Sequence, residues 1–337
     1  MTPDLSTPAG WLPVVFMALM GLAMLAYVIL DGYDLGVGIL LRRAPDAEKD
    51  IMIASIGPFW DANETWLVLG VGILLVAFPM AHGLILTSLY LPVTLMLFGL
   101  ILRGVAFDFR VKARDHHKPW WNRAFYAGSL LATLSQGGML GYYIVGFEPR
   151  WESGLFALFT AFALTAGYAL LGATWLIMKT EGELQARAVR WARGSLWLTA
   201  AGVAAISIVT PLVSAEIFAK WFSLPNALLL APIPLMTLAL FGVIQRSLAH
   251  MPASHERWCW VPFACTVGIF ILAFHGLAYS LFPYLVVHRL TVWQAASAPE
   301  SLLIMFVGVC IVLPTIIGYT VYAYRVFWGK ARALSYY

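Results

Sequence analysis

The chain is short of charge. Of its 337 residues, 21 are Lys or Arg and 17 are Asp or Glu, 11% in all. An ordinary globular domain carries about 25%. A soluble fold needs a charged skin that so few side chains cannot cover. The deficit excludes a soluble globular enzyme, a disordered chain and a nucleic-acid binder. Cysteine is scarce too. Cys259, Cys265 and Cys310 form no spaced framework and lie in or beside apolar stretches. That pattern predicts buried thiols rather than disulfides or a metal site. A positive n-region is lacking: the first ten residues hold Asp4 and no Lys or Arg, so no cleavable signal is expected. Absent as well are a P-loop, a dinucleotide-binding glycine pattern and a nucleophile elbow. Histidine is thin inside the apolar runs. Of His82, His116, His117, His250, His255, His275 and His288, only His275 lies clearly within one. Two axial imidazoles for a membrane heme are therefore not on offer.

What the chain has instead is long apolar runs. A bilayer core of about 30 Å needs roughly 20 apolar residues per helix. Segments near 11–40, 57–80, 83–107, 120–146, 154–178, 194–214, 225–246, 258–283 and 301–327 satisfy this. The runs are continuous rather than alternating, which excludes a β-barrel. The expected fold class is all-α: a polytopic membrane protein of about nine helices, with residues 1–337 forming a single integral-membrane domain. Pro232, Pro234 and Pro314 fall inside spans, where kinks are tolerated.

The loops alternate in charge. One set holds Arg42, Arg43, Lys49, Arg110, Lys112, Arg114, Lys118, Arg123, Lys179, Arg187, Arg190, Arg193, Arg246, Arg257, Arg325, Lys330 and Arg332. The other holds only Arg150, Lys220 and Arg289. By the positive-inside rule the first set is cytoplasmic. The N-terminus is then periplasmic, the C-terminus cytoplasmic, and the span count odd.

A few charges stay in the apolar runs, and intramembrane ionisable groups usually mark a path for ions or protons. The first span ends in Asp31-Gly-Tyr-Asp34-Leu-Gly-Val-Gly38, its two acids sharing one helical face. Gly32, Gly36 and Gly38 permit close helix contact. The second opens with Gly57-Pro-Phe-Trp-Asp61-Ala-Asn-Glu64-Thr-Trp66, again with two acids three apart. The third ends in Arg103-Gly-Val-Ala-Phe-Asp108-Phe-Arg110. The topology puts all three segments at one membrane level, as a polar inlet for protons. Asp34 and Asp108 also admit a structural reading, pairing with Arg42, Arg43 or Arg103. Asp61 and Glu64 have no basic neighbour in sequence and read as functional. A proton-coupled secondary transporter would also carry such acids and broken helices. The inner-face placement of the charges and the lack of an inverted repeat weigh against it.

These three segments together resemble subunit II of the cytochrome bd-type quinol oxidases. The stretch from Leu89 to Arg110 looks most like the cyanide-insensitive branch. Ala62 departs from the family's usual glycine in Trp-Asp-Gly-Asn, a small change. The resemblance implies a heme-free subunit of an electrogenic ubiquinol oxidase that reduces O2 to water in the bacterial inner membrane. It implies a partner, subunit I, carrying two b-type hemes and one d-type heme. No cofactor is assigned to this chain, although the family can hold a structural ubiquinone here. Lipid and a small single-helix accessory subunit are further implied partners. By motif, the resemblance assigns a proton path to Asp61, Asp108, Arg103 and Trp66. Glu64 and Asp34 join it from matching motifs, and Asp31 is a further candidate.

Overall fold

The computed structural model describes residues 4–251 and 256–331. His255 and Arg332 lie outside them. The chain is helical almost throughout. Its elements are α1 (Pro8–Leu40), α2 (Asp46–Ile56), α3 (Trp60–Ala77), α4 (Pro79–Ser88), α5 (Tyr90–Lys112), α6 (Lys118–Ile144) and α7 (Trp151–Lys179). There follow α8 (Gly182–Val213), α9 (Ala215–Phe222), α10 (Asn226–Leu230), α11 (Pro232–Ala249) and α12 (Val261–Leu281). A small antiparallel hairpin, β1 (Tyr284–Val286) and β2 (Leu290–Thr291), leads into α13 (Val292–Ala295) and α14 (Pro299–Val326).

Eight of these long helices are apolar enough to cross a membrane on their own. The expected ninth, α6, falls short because it carries Asn122, Ser129, Thr133, Ser135 and Gln136. All five are buried. The helix lies between α5 and α7, so its polar face is turned to protein. Ser129 and Thr133 donate to the carbonyls of Phe125 and Ser129, one turn back. Large apolar side chains such as Val68, Phe98, Ile101, Leu212, Ile304 and Ile311 are exposed. Surfaces of that kind are normal against lipid. This is a multi-pass membrane protein.

Several expected boundaries move. The runs at 57–80 and 83–107 resolve into three helices, with breaks at Phe78 and Leu89. The expected run 194–214 is only the second half of α8. Its first turns hold Glu183, Arg187, Arg190 and Arg193 and extend beyond the apolar stretch. Pro232 starts α11 rather than kinking a longer helix. The thiols are not deeply buried: Cys259 and Cys265 are half-buried and Cys310 is exposed, all free. Short α2 begins with Asp46 and Glu48 in its first turn, where the helix dipole favours acid.

Helix α1 is the hub, packing against α3, α6, α7, α12 and α14. Its start is capped by the hairpin end of the molecule. There Trp293 Nε1 donates to the Gly10 carbonyl at 2.9 Å, and Tyr143 donates to the Leu285 carbonyl at 2.8 Å. The opposite end is laced by charge. Arg110 pairs with Asp50 at 2.7 Å and Arg187 with Glu48 at 2.9 Å, tying α5 and α8 to α2. The three acid-bearing segments meet near this laced end.

Candidate functional site

Three helices build the site. Asp31 and Asp34 come from the last third of α1, Asn63 and Glu64 from the first two turns of α3, and Arg103 from the middle of α5. Asp31, Asp34 and Arg103 are almost wholly buried, with relative exposures of 0%, 0% and 1%. The Glu64 side chain keeps 28%. Nη2 of Arg103 lies 2.7 Å from Asp31 Oδ1 and also contacts Glu64 Oε1. The guanidinium sits 5.9 Å from the Trp60 ring centroid, a cation–π contact that shields one face. Arg103 is thus the partner of two carboxylates from two helices.

Asp34 takes a different partner. Asn63 Nδ2 donates to Asp34 Oδ2 at 2.8 Å and to the Tyr33 hydroxyl at 3.0 Å. Tyr33 and Tyr324 hydroxyls lie 2.5 Å apart, and Tyr324 donates to Asn63 Oδ1 at 3.3 Å. On the deeper side, Gln136 Nε2 donates to the Tyr27 hydroxyl at 2.7 Å, and Tyr168 donates to Gln136 Oε1 at 2.8 Å. Tyr27 is one turn before Asp31 and packs with Trp66 and Ala23.

One feature sets this cluster apart. Among the described residues, the buried side-chain polar atoms without a hydrogen-bond partner are Asp31 Oδ1 and Oδ2, Asp34 Oδ1, Arg103 Nε and Nη1, and Trp66 Nε1. All belong to this site. The close Asp31–Arg103 pair lacks hydrogen-bond geometry, so Asp31 Oδ1 counts among them. Native interiors satisfy nearly all such groups.

The structure brings together Asp31, Asp34, Glu64, Arg103 and Trp66. It does not bring in Asp61 or Asp108, which are exposed on the outer surfaces of α3 and α5. Asp34 does not pair with Arg42 or Arg43, which are exposed. Glu64, without a basic neighbour in sequence, has one in space. Asn63, Tyr33, Tyr324, Tyr27 and Gln136 are additional members that pattern reading passes over. Asn63 and Tyr33 at least lie inside the two motifs.

As for a heme, every described histidine is at least partly exposed, and His275 Nδ1 is engaged with the Ile271 carbonyl at 2.7 Å. No group of three or more His, Cys, Asp or Glu suited to a metal occurs among the described residues.

A helical bundle of membrane-spanning segments with a buried, incompletely paired acid cluster at one end defines a multi-pass membrane protein with ionisable groups packed in its interior. The sequence pattern of the cytochrome bd terminal oxidase subunit II family matches residues 12–327, and the chain belongs to that family. It is 28% identical to cytochrome bd-I ubiquinol oxidase subunit 2 of Escherichia coli (strain K12), over 94% of each chain. It is 28% identical to cytochrome bd ubiquinol oxidase subunit 2 of Bacillus subtilis (strain 168), over 92% of this chain and 94% of that one. A bd oxidase structure from Geobacillus thermodenitrificans shares the fold, with a TM-score of 0.75 and 18% identity. That likeness covers 94% of this chain and 98% of the other.

Proposed function

We propose that the chain is the heme-free subunit II of a ubiquinol oxidase in the bacterial inner membrane. It supports a heme-bearing subunit I and conducts protons to it from the cytoplasm. The supporting observation is the concentration of unpartnered buried polar atoms at Asp31, Asp34, Arg103 and Trp66. The cluster holds three carboxyl groups and one guanidinium, so its electroneutrality requires two bound protons. Such a cluster is a proton store with vacant donor and acceptor positions. Glu64, partly exposed on α3, connects the cluster to the surface of the chain.

Orientation follows the basic loops: the laced end is cytoplasmic and the hairpin end periplasmic. Two quinols give up four electrons and release four protons outside. Four protons taken up inside complete the reduction of O2 to two waters. Charge separation then needs no pump. The hemes that carry the electrons, two b-type and one d-type, are placed on subunit I. Asp61 and Asp108 take the position of surface acids that deliver protons to Glu64 or face the partner. A small accessory subunit and a structural ubiquinone are compatible additions.

The test is Asp31→Asn in the purified two-subunit complex. The amide keeps the shape and removes the proton-carrying function. Quinol-driven oxygen consumption should fall about tenfold or more, with the heme spectrum unchanged. Wild-type turnover in that variant would remove the cluster from the proton path. Asp61→Asn, made in parallel, should have a smaller effect, because Asp61 is exposed and other acids and water can replace it.

A further inference from the structure

The last helix reaches back to the acid cluster across 261 residues of sequence through one hydroxyl. Tyr33, Tyr324 and Asn63 form a closed circle of hydrogen bonds. The Tyr33 hydroxyl donates to Tyr324, Tyr324 donates to Asn63 Oδ1, and Asn63 Nδ2 donates back to Tyr33. Together with the bond from Asn63 Nδ2 to the Leu30 carbonyl at 3.3 Å, the circle sets which way the Asn63 amide points. Its NH2 must face Asp34 Oδ2, and a flipped amide would set an oxygen against a carboxyl oxygen. Asp34 Oδ2 is thereby occupied, while Oδ1 stays unpartnered and fully buried.

Helix α14 is otherwise barely enclosed by the chain; only Leu302 and Ala323 are buried along it. Its start is tied to α3 by Ser297, which bonds the carbonyls of Ala77 and Val76, and its other end is held by Lys179. Lys179 Nζ donates to the carbonyls of Phe327 and Gly329 at 2.8 and 3.1 Å, capping the helix C-terminus. Ala331 N returns a bond to the Lys179 carbonyl at 2.7 Å, and Lys330 Nζ bonds the Thr180 carbonyl at 2.9 Å. The Lys179 ammonium also sits 5.4 Å from the Phe59 ring and 5.1 Å from Trp175. Phe59 in turn stacks on Tyr324 at 4.5 Å, and Trp175 stacks on Tyr33 at 4.1 Å. One lysine therefore holds both the end of α14 and the aromatic walls around its hydroxyl.

We propose that Tyr324 is a positioning residue for the acid cluster, acting through Asn63 on Asp34, and that Lys179 is the latch that holds the Tyr324 end of α14 in place. This inference rests on the proton-uptake reading above. Tyr324 passes no proton itself. It keeps the Asn63 amide aimed, so that Asp34 always presents the same free oxygen to its neighbours.

The experiment is a double-substitution cycle in the two-subunit complex, using Tyr324→Phe, Asn63→Ala and both together. Turnover with quinol is followed across pH, beside heme content and the Asp31→Asn reference. Phenylalanine keeps the ring stacking and removes the hydroxyl. Loss of one neutral hydrogen bond should lower turnover about fivefold. It should move the midpoint of the pH profile by roughly half a unit, with heme content intact. In the Asn63→Ala background the same change should do nothing further, since its target is gone. Lys179→Met should reproduce the Tyr324→Phe profile. If Tyr324→Phe behaves as wild type while Asp31→Asn is slow, the inference is overturned and the proton reading stands. An equal loss with and without Asn63 overturns it too, as does a Tyr324→Phe complex that loses heme. Full turnover of Asp31→Asn would overturn the proton reading and this inference with it.

Discussion

Replacing Arg103 with methionine should leave little folded subunit in the membrane. Methionine fills much of the same space, so the loss is of charge rather than volume. Asp31 is then buried at 0% exposure with no cation, and Glu64 loses its partner on the same side. Removing one member of a buried pair costs about 3–5 kcal/mol, because the remaining charge is left uncompensated. That is a large share of a total stability of about 5–15 kcal/mol. The expected readings are a several-fold lower yield of assembled complex and a lower melting temperature for what assembles. Arg103→Lys should be intermediate. An ammonium preserves the charge but cannot spread over two carboxylates and the Trp60 face as a planar guanidinium does. The decisive variant combines Arg103→Met with Asp31→Asn and Glu64→Gln. Removing these three charges together should restore most of the assembly, since no unpaired Asp31, Glu64 or Arg103 charge is left and Asp34 keeps its Asn63 partner. Turnover should stay low. Recovery of both yield and turnover would show that the cluster only holds helices together.

The cluster was legible in the sequence because its charges stand in three short segments where charge is costly. Their shared membrane level followed from loop polarity alone. The partner assignments were not legible. Asp34 looked like a surface acid near Arg42 and Arg43, because those residues are close in sequence. In space α1 continues through Leu40 and carries both arginines to the exposed end, while Asp34 turns inward against α3. Asp61 and Glu64 looked equivalent, being three residues apart. A small difference in azimuth on α3 leaves one exposed and the other beside Arg103. Tyr324, Gln136 and Lys179 belong to no motif. Each becomes part of the site only through a contact with a distant helix, and a single polar side chain in an apolar run gives no direction. The run at 120–146 reads as a span, and α6 fills it, although its polar side chains keep it from being apolar enough to cross a membrane on its own. Those side chains are what the packed interior of the bundle needs.

The fold beneath the cluster is set by a contact even less tolerant than the ion pair, between α1 and α7. A methyl group built on Gly36 would lie 1.8 Å from the Tyr168 carbonyl oxygen and 2.8 Å from Gly172 N. A methyl on Gly172 would lie 2.4 Å from Gly36 C and Val37 N. Both obstacles are backbone, so no side chain can swing away and the two helices must separate. Small residues at membrane helix crossings allow such backbone approach. Separation would be felt at the site directly. Tyr168 of α7 donates to Gln136, which in turn donates to Tyr27, and Trp175 stacks on Tyr33 from the same helix. Overpacking a tight core costs about 1–3 kcal/mol even where side chains can adjust, and here they cannot. Gly36→Ala should therefore lower the melting temperature of the complex clearly, and Gly36→Val should abolish its accumulation. The control is an alanine at Gly72 in α3 or Gly138 in α6, where nothing lies within 4 Å. Those variants should match wild type or gain slightly, since alanine favours a helix over glycine by about 0.5–1 kcal/mol. Equal melting temperatures for Gly36→Ala and Gly72→Ala would mean that the α1–α7 contact is looser than this geometry requires. The buried tyrosine–glutamine bridge would then have to be held by something other than the glycine crossing.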